Sequence, residues 1–337
     1  MEKKLNNLNN IKNSMADLFL DKKFKISELI MNYINENRNI ISTVSSQEHL
    51  IKIKTTKDFH LNIIKKCIVE DKEIHMILPA FPAKSPNRQK TISHLPDYGE
   101  VLALNNLNLL CNKITNIYSK GAKVLICSDG RVFSDVVSVS DKEVSEYNNE
   151  LKKIIAEKKL NNLSIYSLDD VYATNDYINM REILINEQAE DLYDLKLRIK
   201  TDTDELNLFN GMHRFLYEDQ KVIIKDKTKN WIRTYSKELA YILIQRSNAW
   251  SRLLEKKFPE SLRLSIHPQP LHSKKIGVRL LQSNDIWRTP WHSAVVYDGT
   301  NYVLAPRHSI ENSGAQLSLA ENKYPFYILK NNERKFL

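Results

Sequence analysis

The spacing of apolar residues changes from helical to strand-like near residue 73. Upstream of that point the chain is mostly polar, and its apolar residues recur three or four positions apart. The clearest series is Ile26, Leu29, Ile30, Tyr33 and Ile34. Such spacing places apolar residues on one face of a helix. We therefore predict an N-terminal helical extension over residues 1–70 that caps the main domain.

Downstream, short apolar runs alternate with helical stretches. The runs typical of buried strands are 74–78, 123–127, 163–166 and 262–266. A helix is predicted between the first two runs, with apolar residues from Leu104 to Tyr118 and Gly121 as its stop signal. Ser140 and Glu143 form a capping box at the start of the next helix. Strands and helices that alternate in this way are joined by right-handed crossovers into a mainly parallel sheet.

The sequence therefore predicts the α/β fold class, with a Rossmann-like, mainly parallel sheet flanked by helices. We assign residues 71–310 to this domain, with a helical insertion at about 171–258. Apolar runs at 294–297 and 302–304 enclose an Asp-Gly turn, which predicts a C-terminal β-hairpin added to the sheet. Residues 311–337 are predicted to be a C-terminal tail.

Composition argues against several classes of protein. No apolar run approaches the ~20 residues that cross a bilayer, and the first residues lack the apolar core of a secretory signal, so we expect a cytoplasmic protein without membrane contact. Cys67, Cys111 and Cys127 form no CxxC pair, which argues against structural zinc and disulfides. The seven glycines are too far apart for a GxGxxG motif or a P-loop.

The formal net charge of +9 bears on which kind of ligand or macromolecule the protein binds. Basic residues are spread along the whole chain in short runs, and no nucleic-acid-binding motif accompanies them. An anionic small ligand is therefore favoured over a nucleic acid.

Hydrogen-bond donors are concentrated in the loop after the first predicted strand. Residues 81–91, FPAKSPNRQKT, carry Lys84, Ser85, Arg88 and Lys90, and two prolines stiffen the loop. In an open α/β sheet, ligands bind beyond the carboxyl ends of the strands, where Arg and Lys can hold a phosphate. The alternative is a solvated, lysine-rich surface loop.

Other candidates for chemistry follow the remaining predicted strands or lie in apolar stretches. Asp97 and Glu100 lie at the start of a predicted helix, where the alternative to a site role is that they cap the helix. Asp129 and Arg131 lie in a predicted turn, where the alternative is an Asp-Gly turn with a surface ion pair. The weaker candidates are His213, His267 and His292, because a lone histidine is more often structural. Arg246 and Arg279 stand in apolar surroundings, where a buried guanidinium needs an anionic partner in the protein or a ligand.

Three motifs together carry a family resemblance. They are FPAKSPN at 81–87, LPDYGE at 95–100 and SDGRVFSD at 128–135. In this order they resemble the pyoverdine/dityrosine biosynthesis family, whose bacterial members include the isocyanide synthases. The resemblance covers roughly residues 70–310.

The resemblance implies an enzyme that uses neither a cofactor nor a metal. The amino group of tyrosine or tryptophan condenses with the C2 ketone of ribulose 5-phosphate, and C2 becomes the isonitrile carbon after fragmentation and loss of phosphate. This carbon–nitrogen bond formation is of the lyase or transferase type. An iron(II)/2-oxoglutarate-dependent oxygenase often acts next in the pathway.

Two alternatives stay open at this point. Within the same family, the chain could formylate or otherwise modify the amine of tyrosine for a dityrosine-type precursor. Outside enzymology, it could be a basic protein that binds a polyanion, with an affinity that falls steeply as salt rises.

The resemblance and the residue types together assign roles. We expect desolvation and neighbouring cations to lower the pKa of Lys84, although a bound phosphate would act oppositely, so that Lys84 is either an acid–base group or a phosphate anchor. The remaining catalytic candidates are Asp97, Glu100, Asp129, His213, His267 and His292. The candidate phosphate-binding residues are Ser85, Arg88, Lys90, Arg131, Arg246 and Arg279.

Overall fold

The computed structural model describes residues 22–41 and 47–329. The helices are α1 (22–36), α2 (Gln47–Val69), α3 (Tyr98–Ile117), α4 (Gly130–Phe133), α5 (Asp141–Glu157), α6 (Tyr177–Gln188), α7 (Leu192–Thr201), α8 (Thr203–Ile223), α9 (Lys229–Lys257) and α10 (Arg307–Asn312). The strands are β1 (Ile74–Pro79), β2 (Ala122–Cys127), β3 (Leu163–Tyr166), β4 (Leu262–Ser265), β5 (Lys275–Gly277), β6 (Gln282–Ser283), β7 (Ala294–Tyr297), β8 (Tyr302–Ala305), β9 (Gln316–Ala320) and β10 (Tyr324–Ile328). Single 3₁₀ turns lie at Leu168–Asp170 and Pro290–His292.

The first sheet has the strand order β3-β2-β1-β4-β5, and every pair in it is parallel. This confirms the predicted Rossmann-like sheet, and the four predicted strands agree with β1 to β4 to within one residue at either end. The neighbouring residues Met76 and Ile77 point to opposite faces of the sheet, and both are buried because helices cover both faces of a parallel sheet. The crossovers change direction between β1 and β4, so the carboxyl ends of these strands flank the usual ligand crevice.

Helices pack on both faces of this sheet. α1, α2, α3 and α5 share one apolar core with it, and α4 together with α6 to α9 shares another. The predicted N-terminal stripe is confirmed at Ile30 and Ile34, which are buried, but Leu29 is 56 % exposed and Met31 is buried instead. Residues 1–21 and 42–46 of the predicted extension lie outside the described residues.

The predicted hairpin is confirmed as β7 and β8, paired antiparallel with Tyr297 opposite Tyr302. It does not extend the parallel sheet, however, but forms the middle of a second sheet of order β6-β8-β7-β10-β9. Strands β9 and β10 lie in the segment that was predicted to be a tail, and β10 pairs with β7 in parallel. Tyr98 of α3 packs against Tyr302 and Phe326, and so links the two sheets.

Candidate active site

Four segments come together at the carboxyl edge of the parallel sheet. They are the loop 80–97 after β1, the turn 128–130 after β2, residues 266–268 after β4, and the segment 287–293 that leads into β7. The first and last of these are joined directly, since the Ser85 N–H donates to the Trp291 carbonyl over 2.8 Å and Phe81 packs on the Trp291 ring at 5.1 Å. The site is therefore built between the two sheets.

A buried ion cluster centred on Lys84 forms the interior of the site. The Lys84 ammonium lies 2.7 Å from Asp97 Oδ2 and 2.8 Å from Glu100 Oε2, and it donates to the Pro290 carbonyl over 3.0 Å. All three charged side chains are at most 1 % exposed. All three ammonium donors have protein acceptors, and the two carboxylates outnumber the single cation.

The N-terminus of α3 holds the two carboxylates in place. Asp97 caps this helix by accepting from the Gly99 N–H over 2.7 Å, and Glu100 accepts from the Asp97 N–H over 2.9 Å. The Tyr147 hydroxyl of α5 donates to Glu100 Oε1 over 3.2 Å. The two acids therefore cap α3 and contact Lys84 at the same time.

The electrostatics of this cluster differ from the prediction for Lys84. Burial alone would lower the pKa of Lys84, but the attraction of Asp97 and Glu100 outweighs it and raises that pKa. The expected lowering by neighbouring cations is wrong, because the nearest charges are carboxylates. Burial raises the pKa of Glu100 to about 7, against the attraction of Lys84 and with the help of the Asp97 charge. Glu100 can therefore exchange a proton near neutral pH.

Two histidines lie close enough to influence each other, and one of them, His292, is also close enough to the cluster to be affected by the Lys84 charge. His292 shares a hydrogen bond with the Thr289 hydroxyl at 3.1 Å through Nδ1, and its ring packs against Phe215 of α8. Burial, followed by the charges of Lys90, His267 and Lys84, holds its pKa well below the usual range. Burial likewise lowers the pKa of His267 to about 4, and its ring lies 5.2 Å from Trp287.

A second ion cluster ties the loop after β1 to α8. The Lys90 ammonium lies 2.9 Å from Glu218 and 2.8 Å from Asp219. The Ser85 hydroxyl and the Asn87 amide both donate to the buried Asp219 carboxylate, over 2.9 Å and 3.1 Å. These contacts fix the position of the loop, and they also neutralise its Lys90 cation.

Asp129 and Arg263 are the third feature of the site. Their side chains carry opposite charges but make no direct contact. Asp129 Oδ1 is buried without a hydrogen-bond partner among the described residues, and so are Nε and Nη1 of Arg263. No ion pair within 4.0 Å joins the two in the described part of the chain, yet the Arg263 charge acts on the Asp129 carboxyl. Burial dominates over that attraction and raises the pKa of Asp129 to about 7.

Comparison with known proteins decides the family. The family model described as pyoverdine/dityrosine biosynthesis protein matches residues 64–318, which span all the segments of the site. The chain belongs to this family. The resemblance drawn from the three motifs is thereby confirmed.

Several proteins that are similar to this chain are named as isonitrile synthases. An L-tryptophan isonitrile synthase of Fischerella ambigua is 41 % identical over 303 residues, which cover 90 % of this chain and 91 % of the relative. An L-tyrosine isonitrile synthase of Xenorhabdus nematophila is 33 % identical and covers 93 % and 95 % of the two chains. The crystal structure of the PvcA protein from Pseudomonas aeruginosa has a TM-score of 0.83 at 33 % identity, over 90 % of this chain and all of that one.

Most of the residues that the sequence predicted to be catalytic lie at the same edge of the parallel sheet. Lys84, Asp97, Glu100, His267 and His292 flank the crevice, and Asp129 lies at the end of the neighbouring strand. His213 does not join them. It lies on α8 two residues before Phe215, hence about 200° around the helix, and its Nε2 is 3.1 Å from the Arg233 carbonyl.

The structure does not gather the predicted phosphate-binding residues at one place. Arg131 pairs with Asp141 and Asp169 and lies over the Tyr177 ring, and Arg246 pairs with Asp135, so both hold α4 against its neighbours. Ser85 and Lys90 are engaged by α8. Arg88 donates to the Ser85 carbonyl and the Thr91 hydroxyl. Arg279 is exposed and lines a separate cleft.

Sequence reasoning missed several residues of the site. Asp219 and Tyr147 lie on helices without any local signal of function. Arg263 did have a signal, because it interrupts an apolar strand between Leu262 and Leu264, which is the criterion that singled out Arg246. Among the described residues, no group of three or more His, Cys, Asp or Glu side chains is arranged to hold a metal ion. Within the same ranges, no helix has the length and hydropathy that a membrane crossing requires.

Proposed function

We propose that this protein is an isonitrile synthase that acts on the amino group of tryptophan or tyrosine and takes the isonitrile carbon from C2 of ribulose 5-phosphate. Family membership and relatives named as tryptophan and tyrosine isonitrile synthases support the reaction. The structural observation that carries the proposal is the buried Lys84–Asp97–Glu100 cluster beside a neutral His292. An iron(II)/2-oxoglutarate-dependent oxygenase would then act on the product.

The first step of this chemistry requires proton transfer in both directions. The substrate ammonium must lose protons so that its nitrogen can bond to C2, and the C2 oxygen must gain two protons to leave as water. A carboxyl group with a pKa of about 7, such as that of Glu100, takes up and returns protons efficiently at neutral pH. In this scheme Lys84 fixes Glu100, Asp97 and the Pro290 carbonyl in position, so that the charges around the reaction stay constant.

His292 is our candidate for direct contact with the reacting atoms. The described residues offer a hydrogen-bond partner to its Nδ1 but none to Nε2. Its low pKa reflects burial near several cations, and a bound phosphate dianion would raise that pKa toward neutrality. Binding of the sugar phosphate would therefore make His292 a better base when it is needed.

Asp129 and Arg263 fit the head group of an α-amino acid. A zwitterion carries one ammonium and one carboxylate, and the two side chains offer a buried carboxylate oxygen and two buried guanidinium donors that lack partners. Unpaired buried polar atoms cost free energy, so a complementary ligand would bind with good specificity. We assign the amino group of the substrate to Asp129 and its carboxylate to Arg263.

The decisive experiment is a reaction with each aromatic amino acid and ribulose 5-phosphate labelled with ¹³C at C2, followed by mass spectrometry. We expect an isonitrile that keeps the label, formed without added cofactor and equally well in EDTA. A formamide that retains oxygen would favour the N-formylation alternative. Activity that disappears in EDTA and returns with a divalent metal would contradict the cofactor-free scheme.

A further inference from the structure

We propose that the phosphate group of the sugar phosphate binds in a cleft at the carboxyl ends of β4 and β5, where Arg279 and Arg288 hold it. The inference deepens the proposed function and rests on it for the identity of the ligand. Of the six predicted phosphate-binding residues it keeps only Arg279, and it moves the phosphate away from the loop 84–90.

The cleft is shallow and opens to solvent, and its enclosed volume is about 20 Å³. Its lining comes from Asn39, from Ile266 after β4, from residues 279–281 after β5, and from five residues of the following segment, Ser283, Asp285, Ile286, Arg288 and Thr289. Four apolar residues line it, Ile266, Leu280, Leu281 and Ile286, together with the hydroxyls of Ser283 and Thr289. Its position beyond the ends of parallel strands is the usual place for a ligand in this kind of sheet.

The cleft has an excess of positive charge. Asp285 is its single acidic lining residue, whereas Arg279 and Arg288 both line it. Arg288 approaches Asp285 only to 3.7 Å, and Arg214 of α8 lies 3.8 Å from the same carboxylate. No ion pair of Arg279 occurs within the described residues. Three guanidinium groups in or beside the cleft are thus balanced by one carboxylate, and the surplus charge of about +2 matches a phosphate dianion.

The loop 84–90 does not offer such a surplus. Lys84 is enclosed by Asp97 and Glu100, and Lys90 is paired with Glu218 and Asp219. Arg88 is the remaining cation of the loop. Its Nη1 donates to protein acceptors, and the charges of Glu143 and Arg307 act on it in opposite directions. A phosphate in this loop would therefore meet four carboxylates that already neutralise two of its three cations.

One short segment connects the cleft to the reacting groups. Arg288 lines the cleft, Thr289 both lines it and shares a hydrogen bond with His292, and the Pro290 carbonyl accepts from Lys84. Arg288 and His292 are only four positions apart in the chain, so their Cα atoms are at most about 15 Å apart. A pentulose phosphate anchored in the cleft can therefore extend its ketone end toward His292.

The test is a calorimetric titration of ribulose 5-phosphate into the full chain and into three variants. In Arg279→Gln and Arg288→Gln the Kd should rise by about 10- to 100-fold, the effect of losing one charge-assisted hydrogen bond. Arg88→Gln is the matched control, because it removes a guanidinium from the loop, and its Kd should stay within about twofold of the unmodified protein. Inorganic phosphate should compete with the sugar phosphate in the unmodified protein.

Folding of each variant is checked by thermal melting. Arg279 is exposed, so Arg279→Gln keeps the test decisive even where Arg288→Gln unfolds. A large effect of Arg88→Gln with no effect of Arg279→Gln would place the phosphate in the loop and overturn the inference. Unchanged affinities in all three variants would also overturn it. The binding measurement needs no turnover. If the unmodified protein makes no isonitrile, the proposed function is refuted. If the cleft variants nevertheless lose affinity for the sugar phosphate, the binding site in the cleft is upheld.

Discussion

At the scale of single residues, Lys84 shows how one buried cation organises a site. Two carboxylates share its ammonium, so the cluster carries either a net negative charge or an extra proton. Removing one member of a buried ion cluster costs about 3–5 kcal/mol because the remaining charges are left unpaired. The same residues that stabilise the end of α3 therefore set the protonation state of the site.

Replacement of Lys84 tests this role. Lys84→Met leaves two buried carboxylates without a cation, and Lys84→Arg forces a larger, planar group into a space with no exposed surface. We expect kcat to fall by roughly 10²–10⁴ in both variants. Steady-state kinetics give the result, with Lys120→Met, which removes an exposed ammonium, as control. A near-normal rate for Lys84→Arg would show that only its charge matters.

The amino-acid head group provides a second test at this scale. Asp129→Asn and Arg263→Gln each remove one charge from the pair that we assign to the zwitterion. The KM for the amino acid should rise about tenfold or more, because a charge-assisted contact is lost, while the KM for ribulose 5-phosphate stays nearly constant. Equal increases in both constants would indicate that the pair only supports the fold.

At the scale of secondary-structure elements, local signals in the sequence predicted the helix caps and the strands β1 to β4, β7 and β8, but not β5, β6, β9 and β10. The predicted capping box at Ser140–Glu143 is confirmed, and the capping role considered for Asp97 is realised in a second box with Glu100, because capping depends on residues three positions apart. Strand positions were also predictable, since buried parallel strands are continuous apolar runs. Strand β9 was missed because Leu317 and Leu319 are more than half exposed and its other residues give no run.

The contact between α4 and the loop after β1 leads to a prediction about Gly130, with Gly211 of α8 as the comparison. A Cβ on Gly130 would lie 1.8 Å from the Pro82 carbonyl oxygen, so Gly130→Ala must displace the loop that carries Lys84. We expect Gly130→Ala to destabilise the fold by several kcal/mol and to abolish activity. Gly211 of α8 has free space around it, so Gly211→Ala should stabilise by about 0.5–1 kcal/mol. Urea unfolding measures both, and equal stabilities would refute the close approach.

At the scale of the whole molecule, the pairing of charges could not be predicted. Lys90 and Asp219 are 129 positions apart, and Lys84 and Pro290 are 206 apart, so no local pattern links them. The sequence showed which residues follow the strands but not which acids neutralise which cations. The cations at the strand ends therefore looked like a phosphate clamp, although most of them have partners within the protein. Burial, which determines the pKa values, is likewise a property of the complete fold.

The pH dependence of global stability is a consequence of this burial. The pKa of Glu100 is about 7 in the folded protein and about 4.5 in the unfolded chain. Between these values the folded state keeps a proton that the unfolded state has released. The contribution of Glu100 to stability is therefore complete below about pH 4.5 and is lost as the pH rises through 7. His267 has the opposite effect, because its folded pKa of about 4 lies below the ordinary 6.5.

Glu100→Gln isolates the contribution of Glu100, since glutamine does not titrate and His267 and Asp129 are present in both proteins. The free energy of unfolding of the unmodified protein, minus that of the variant, should decrease by about 3 kcal/mol between pH 4 and pH 8. Urea denaturation at half-unit pH intervals measures this difference. Most of the change should fall between pH 4.5 and 7, with a plateau on either side. A difference that does not vary with pH would mean that Glu100 is ionised in the folded protein throughout, and that the proton we assign to the Lys84 cluster is not there.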